Sequence, residues 1–235
     1  MTTWSAGEPG RSYRRIGDTL HPNGGPDPAL RARREAIDRL GAAVRSLVEH
    51  GATTEVPTDR LLDAAERIEA VAEELGTALR RREQVPSADD LMAGIRMFNP
   101  VTGTGNGIAP PLRIDLVDGI VVGSCTLGLV YEGPPMYAHG GVTALLLDQM
   151  LGYATSAAGH PGLTVDLVTR YRRPVPLQTP LRLRAAVVGV EGRIVTAHGA
   201  IATEAEADET LVEATGTFKE LRPDQAARLF TPPAA

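Results

Sequence analysis

The chain has 235 residues, of which 43% are hydrophobic, with a formal net charge of -5 and a sequence pI near 5.6. This length allows one large domain or one domain with an appendage, and the apolar content argues against global disorder. The acidic balance gives no electrostatic footprint for nucleic acid, so no nucleic-acid partner is expected. The single cysteine, Cys125, excludes an intrachain disulfide and fits a reducing, cytoplasmic location.

The N-terminal part predicts an arm followed by two helices. Residues 1–27 are rich in Gly, Pro and polar groups without periodicity, which predicts a flexible arm. Asp27-Pro28 and Pro57-Thr58 are typical of helix starts, and apolar residues at helical spacing follow each of them. One apolar face per helix predicts a helical hairpin over 28–85 that packs against itself, the main domain or another subunit. A structural role is favoured over a regulatory one.

Between residues 96 and 222 the pattern changes and predicts an α+β domain. Residues 98–111 are too rich in Gly and Pro to be regular and predict a loop. Alternating or β-branched stretches predict six strands, with Asp118-Gly119 as a hairpin turn between the first two. The predicted strands are Leu112–Val117, Ile120–Tyr131, Thr164–Arg172, Leu181–Val190, Arg193–Thr203 and Thr210–Leu221. The proline-marked tail, 223–235, is expected to be peripheral.

A single apolar helix separates the second predicted strand from the third. It runs from Gly140 to Ala158, and Asp148 is its only formally charged residue. A carboxylate in the middle disfavours membrane insertion, so the pattern predicts a buried helix of a soluble domain. Consecutive strands on short turns predict an antiparallel sheet, and one helix among six strands fits the concave face of a curled sheet, which is the hotdog fold. Burying such a helix on every side requires a second subunit.

The start of this helix and its acid form the candidate site. His139-Gly140-Gly141 lies where a Gly/Pro-rich loop becomes the helix, and an amide there could polarise a carbonyl and stabilise an oxyanion. His139 could orient the loop, cap the helix or transfer a proton. Asp148 could be a general base, a nucleophile, or a buried acid that accepts from backbone or hydroxyl donors. No other histidine has metal-ligand spacing with His139, so no metal site is expected.

Two segments of the chain resemble the hotdog-fold acyl-CoA thioesterases of the phenylacetate-pathway and mitochondrial long-chain types: EGPPMYAHGGVTALLLDQMLG and LTVDLVTRYRRPVPL. The resemblance covers roughly Phe98 to Leu221. In that family an acid follows the HGG histidine by nine residues, as Asp148 follows His139. The resemblance therefore implies that Asp148 is the catalytic acid. It also implies that the Gly141 amide, with Gly140 beside it, binds the carbonyl and that His139 has a supporting role.

The activity implied by this resemblance is hydrolysis of an acyl-CoA thioester to a carboxylic acid and CoA, in fatty acid and lipid metabolism. No cofactor is implied beyond the CoA of the substrate itself. Thr164 matches a family threonine and is the implied hydrogen-bonding partner of Asp148 or of the attacking water. Arg170, Arg172 and Arg173 are candidate contacts for the CoA phosphates, although exposed arginines on strands are common. The expected assembly is a homodimer or a dimer-of-dimers tetramer, with the site between subunits.

Two alternatives and two departures from the family accompany this interpretation. The alternatives are a hotdog acyl-CoA-binding protein without turnover and a hotdog hydratase or dehydratase, against which the spacing of HGG and Asp148 argues. The short family loop near NPxAPPL is stretched here over residues 99–111, and the helical N-terminal region lies outside the family's minimal unit. The sequence does not decide between a base and a nucleophile, nor the length of the acyl chain.

Overall fold

The computed structural model describes residues 14–15, 27–91, 94–222 and 224–225. Most of the predicted arm, 1–27, and of the predicted tail, 223–235, therefore lies outside the described residues. The helices are α1 (Pro28–Thr53), α2 (Thr58–Gly76) and α3 (Gly140–Ala157), with a 3-10 helix at Leu129–Tyr131. The strands are β1 (Arg14–Arg15), β2 (Arg113–Val117), β3 (Ile120–Thr126), β4 (Gly162–Tyr171), β5 (Pro180–Glu191), β6 (Ile194–Thr203) and β7 (Val212–Glu220).

The described strands form one antiparallel sheet in the order β1-β2-β3-β5-β6-β7-β4, so β4 lies at an edge. The predicted hairpin turn at Asp118-Gly119 joins β2 to β3, with φ of 50° and 80° at the two residues. Two positive φ angles in succession match the right-handed twist of the flanking strands, and Asp-Gly adopts them at little cost. The sequence signal for this turn is confirmed.

The core lies between α3 and the sheet. The helix contacts β3, β4, β5, β6 and β7, and its buried apolar side chains are Leu146, Leu147, Met150, Leu151 and Ala154. They meet inward-facing side chains of the central strands, such as Leu183, Val195 and Phe218. Full burial of each large side chain contributes about 1.5–3 kcal/mol relative to exposure. A curled antiparallel sheet around one long helix confirms the predicted hotdog fold.

One face of α3 has no cover among the described residues. Leu145 is 42% exposed, and Gly141 and Asp148 lie on the same side of the helix at spacings of four and three residues. The neighbouring edge strand β4 also exposes its apolar side chains, including Leu163 and Val165. The sheet of one chain therefore does not bury the apolar helix on all sides.

The second predicted strand is shorter than the sequence pattern indicates. β3 ends at Thr126, and Leu129–Tyr131 turns into a 3-10 helix. The cause is a contact from α1: the carboxylate of Glu49 accepts hydrogen bonds from the amides of Leu129 at 2.8 Å and Val130 at 3.2 Å. Those two amides are then not available to a neighbouring strand. An apolar run alone does not show whether a strand continues or gives way to a 3-10 helix.

α1 rests on the loop of residues 97–111, which precedes β2. The backbone at Gly41 lies so close to the Thr104 carbonyl that an added Cβ would collide with its oxygen. Asp38 accepts a hydrogen bond from the hydroxyl of Thr104, and the Arg45 guanidinium donates to the Thr104 carbonyl. A close backbone approach and two side-chain hydrogen bonds thus fasten the helix to this loop.

α2 is a helix, as predicted, but it does not pack along α1. None of its residues is buried, and the linker before it is extended, with ψ of 141° at Thr54 and 154° at Pro57. Val56 precedes a proline, which disfavours the helical conformation at that position. The helical region is confirmed, whereas the two apolar stripes that predicted a hairpin do not meet within one chain.

The contact between α1 and the loop of residues 97–111 can be tested by substituting two glycines of this helix. We expect Gly41→Ala to lower the free energy of unfolding by about 1–3 kcal/mol, the usual cost of overpacking, because the new Cβ collides with backbone atoms of the loop. Gly51→Ala places its Cβ where nothing lies within 4 Å and should be neutral or stabilising by up to about 1 kcal/mol. Urea denaturation followed by circular dichroism measures both, and equal values would contradict the contact.

Candidate active site

Asp148 is held where the apolar core meets the uncovered face of α3. Its side chain is partly exposed, while the neighbouring Leu147 and Leu151 are fully buried. Its Oδ1 accepts a hydrogen bond of 2.9 Å from the Thr164 hydroxyl. Among the described residues no donor reaches its second oxygen. One oxygen is therefore fixed in position, and the other is open to water or a ligand.

A bulge in β4 accompanies the placement of Thr164. The register against β7 shifts between Thr164 and Asp166, so that Val165 is the additional residue. Bulges re-aim side chains and occur often beside functional sites. α3 and β4 follow each other through a turn at Gly159, which has a φ of 85°. The pair of Asp148 and Thr164 thus arises from a tight helix-to-strand connection followed by an irregular strand.

His139 caps the start of α3. Its Nδ1 accepts a hydrogen bond of 3.0 Å from the Gly141 amide, so capping is the role, among those the sequence allowed, that the structure displays. Nδ1 must be unprotonated to accept, which places the ring proton on Nε2. The Gly140 amide, at the first helical position, has no acceptor within the helix. A ligand oxygen at this helix start would meet Gly140 directly and would compete with His139 for the Gly141 amide.

Tyr171, the last residue of β4, holds the helix start from the other side. Its hydroxyl donates to the Gly140 carbonyl at 3.0 Å. A Cβ added at Gly140 would lie 3.2 Å from the tyrosine ring, so glycine permits this close approach. Tyr171 belongs to the segment LTVDLVTRYRRPVPL, but nothing in the sequence singled it out. Its contact with Gly140 is a site feature that the sequence analysis missed.

Glu49 supports the same region from a distance. Its carboxylate caps the 3-10 helix, the carbonyl of Tyr131 in that helix accepts from the His139 amide at 2.9 Å, and His139 caps α3. Gly128 lies directly against the carboxylate, since a Cβ there would collide with it. Eighty residues separate Glu49 from Leu129, so no local sequence signal could have revealed the contact.

The three candidate arginines differ in their partners. Arg172 pairs with Glu213 at 2.7 Å and Arg173 pairs with Glu209, whereas Arg170 has no acidic partner among the described residues. Exposed ion pairs contribute at most about 1 kcal/mol and can exchange partners. Binding of CoA phosphates by these residues stays a prediction, and Arg170 is the one that forms no ion pair among the described residues.

The described residues can also be searched for a reactive thiol, a metal site and a membrane-spanning helix. Burial raises the pKa of the Cys125 thiol to about 12, so it stays protonated near neutral pH and is a poor nucleophile. In the part of the chain that the structure describes, no group of three or more His, Cys, Asp or Glu side chains could hold a metal ion. Within that same part, no helix combines the length and apolar character needed to cross a membrane.

The segment that contains the candidate site is similar to known proteins. The thioesterase superfamily matches residues 137–209, which include α3 and β4. A thioesterase superfamily protein of known crystal structure shares 37% sequence identity with this chain, and the two structures superpose with a TM-score of 0.69. The match covers 77% of this chain and 94% of that protein. The chain belongs to the thioesterase superfamily.

The matches differ in how much of the chain they cover. The acyl-coenzyme A thioesterase THEM4 from Xenopus laevis is 31% identical over 98 residues, which are 41% of this chain and 43% of the frog protein. The chain therefore matches less than half of that curated relative. The crystal-structure match is longer than the region 96–222, so it extends into the helical part of the chain.

The cap provided by Glu49 can be tested by a change that keeps its size. We expect Glu49→Gln to lower the free energy of unfolding by about 1–3 kcal/mol, because one acceptor oxygen becomes an NH2 group that faces a backbone amide. Glu35→Gln, on an exposed position of the same helix, should change it by less than about 0.5 kcal/mol. Thermal and urea denaturation provide the readout. An equal loss in both variants would contradict the cap.

Proposed function

We propose that this protein hydrolyses acyl-CoA thioesters to a carboxylic acid and CoA. The observation that carries the proposal is the hydrogen bond between Asp148 and Thr164 on the open face of a helix that begins at Gly140. Membership of the thioesterase superfamily supports the same reaction class. The similarity of 98 residues to a curated acyl-coenzyme A thioesterase supports CoA esters as the substrates.

Asp148 supplies the attack on the thioester in this proposal. As a general base it takes a proton from a water molecule whose oxygen attacks the carbonyl carbon. As a nucleophile it attacks the carbon itself, and water then hydrolyses the resulting anhydride. In both routes the carbon–sulfur bond breaks and CoA leaves as a thiolate, so a strong general acid is not required. Thr164 fixes one carboxylate oxygen and leaves the other to react.

The start of α3 stabilises the negative charge that develops on the carbonyl oxygen. Amides at the positive end of a helix dipole suit an oxyanion, and their fixed orientation requires no reorganisation during the reaction. The Gly140 amide is free of intrahelical partners, and the Gly141 amide joins it once the ring of His139 shares or releases its hydrogen bond. His139 thereby controls access to the second donor.

The active unit in this proposal is a homodimer, alone or within a dimer of dimers. Gly141 and Asp148 lie about 10 Å apart along one face of α3, and this face is open to water in a single chain. The free edge of β4 beside it exposes Leu163 and Val165 at 50% and 57%. Uncovered apolar strand edges are normally paired or shielded. A second copy would cover both surfaces, place the helix start of one chain beside Asp148 of the other, and enclose the thioester between subunits.

The proposal also includes a binding residue for CoA and a cellular location. Arg170 is the first candidate for the CoA phosphates, because Arg172 and Arg173 already pair with acids. No metal and no cofactor other than the CoA of the substrate take part. The proposed location is the cytoplasm, where the single thiol Cys125 is kept reduced.

We expect Asp148→Ala and Asp148→Asn to lower thiol release by at least about two orders of magnitude. The asparagine variant keeps the size of the side chain and an acceptor for Thr164, so it isolates the loss of charge. Release of CoA is measured across short, long and aromatic acyl-CoA esters. Asp208→Asn, at an exposed position of the turn before β7, is the matched control and should retain the rate.

Two outcomes of this experiment would overturn parts of the proposal. Equal rates in the wild type and both Asp148 variants would remove this carboxylate from the mechanism. Binding of the esters without release by the wild type would favour a hotdog binding protein. The mass of the protein in solution checks the shared site separately, and a strict monomer that is fully active would contradict it.

The contribution of the Thr164 hydroxyl can be separated from that of its shape. We expect Thr164→Val to lower kcat by about tenfold, because the hydrogen bond that orients the carboxylate of Asp148 is lost. Thr164→Ser retains the hydroxyl and should recover most of the rate. Steady-state thiol release on one acyl-CoA ester measures both. Equal losses in the two variants would assign the effect to packing instead.

A further inference from the structure

α2 presents a regular apolar stripe that the described part of the chain leaves uncovered. None of its residues is buried, and Leu61, Ile68 and Leu75 are 45%, 43% and 52% exposed. Ala65 and Ala72 lie between them, so the stripe repeats at intervals of four and three residues. This interval is the signature of a helix that packs against another helix. A helix of this length gains most of its stability from tertiary packing, so the stripe calls for a partner.

α1 carries a second stripe with the same repeat. Its inner side, with Ile37 and Gly41, is seated on the loop before β2. Its outer side faces solvent and repeats at intervals of four, three and four residues: Ala36, Leu40, Ala43 and Leu47. The described residues therefore include both a helix without a packing partner among them and a helix face of matching repeat.

The two stripes are complementary in size and in charge. Large and small side chains alternate on each helix, so the two stripes can interdigitate at a close spacing of the helices. α1 contains five arginines and three acidic residues, whereas α2 contains six acidic residues and two arginines. Opposite net charges favour the association of these two helices over the pairing of α2 with α2.

The direction of the linker favours a second copy as the source of the partner helix. Thr54 and Pro57 have extended backbone conformations, and α1 and α2 do not pack along each other. We propose that α2 of one copy packs along the outer stripe of α1 of a second copy, and that the exchange is reciprocal about a two-fold axis. This contact involves neither Asp148 nor β4, so it does not depend on the proposed activity.

Cysteine pairs placed on the two stripes test the exchange directly. Cys125 is the only native cysteine, and its buried, protonated thiol does not compete. We expect Leu40→Cys/Ile68→Cys to form a disulfide-linked dimer under mild oxidation, visible on a non-reducing gel and reversed by reductant. A mixture of a tagged Leu40→Cys chain with an untagged Ile68→Cys chain should give the mixed dimer as the main product. Both positions are exposed, and circular dichroism verifies the fold.

The matched control combines Leu40→Cys with Leu62→Cys. Leu62 is 63% exposed and lies off the stripe, so its pair should cross-link at least about tenfold more slowly, since a disulfide requires Cβ atoms within about 4.5 Å. An intrachain disulfide at monomer mass in the Ile68 pair would overturn the proposal in favour of a hairpin within one chain. Absence of any disulfide, or equal rates for Ile68 and Leu62, would overturn it as well.

Discussion

The incomplete burial of α3 is the constraint on which the rest of the structure depends. The helix is apolar nearly all round, yet the curled sheet covers the side of Leu147 and Leu151 and leaves the side of Asp148 open. A carboxylate is tolerated there because Thr164 donates to it and water reaches its free oxygen. On the buried side the same charge would cost several kcal/mol or more. The open face also contains the helix start, so a ligand can reach both.

The stretched loop and the additional helix, which the sequence presents as separate departures from the family, are one structural feature. α1 lies on the loop of residues 97–111 through Gly41 and Arg45, and its next turn places Glu49 against the 3-10 helix. The carbonyl of Tyr131 then receives the amide of the histidine that caps α3. A helix outside the minimal fold thus supports the segment that leads into the candidate site. The relation is physical, through hydrogen bonds at 2.8–3.2 Å.

Two apolar surfaces of different kinds stay uncovered among the described residues, and both enter the proposals for a second copy of the chain. β4 lies at the edge of the described sheet and exposes apolar side chains beside Asp148, whereas α2 exposes an apolar helical stripe and has no buried residue. Exposed apolar surfaces of this regularity are uncommon on isolated soluble domains. Because one surface pairs strands and the other pairs helices, both can be satisfied at once by copies of the same chain.

The sequence by itself determined the elements that depend on local chemistry. The period-two pattern located the strands β2 to β7, although it did not predict β1 inside the expected arm. Asp118-Gly119 predicted a hairpin turn, and the apolar run with one acid identified α3 and Asp148. Only the tertiary structure decided the contacts between distant segments: the cap by Glu49, the end of β3, the ring of Tyr171 over the helix start, and the separation of α2 from α1. Such contacts join residues that are far apart in the sequence, and they form only when the elements pack together. A local sequence pattern does not show how distant elements pack.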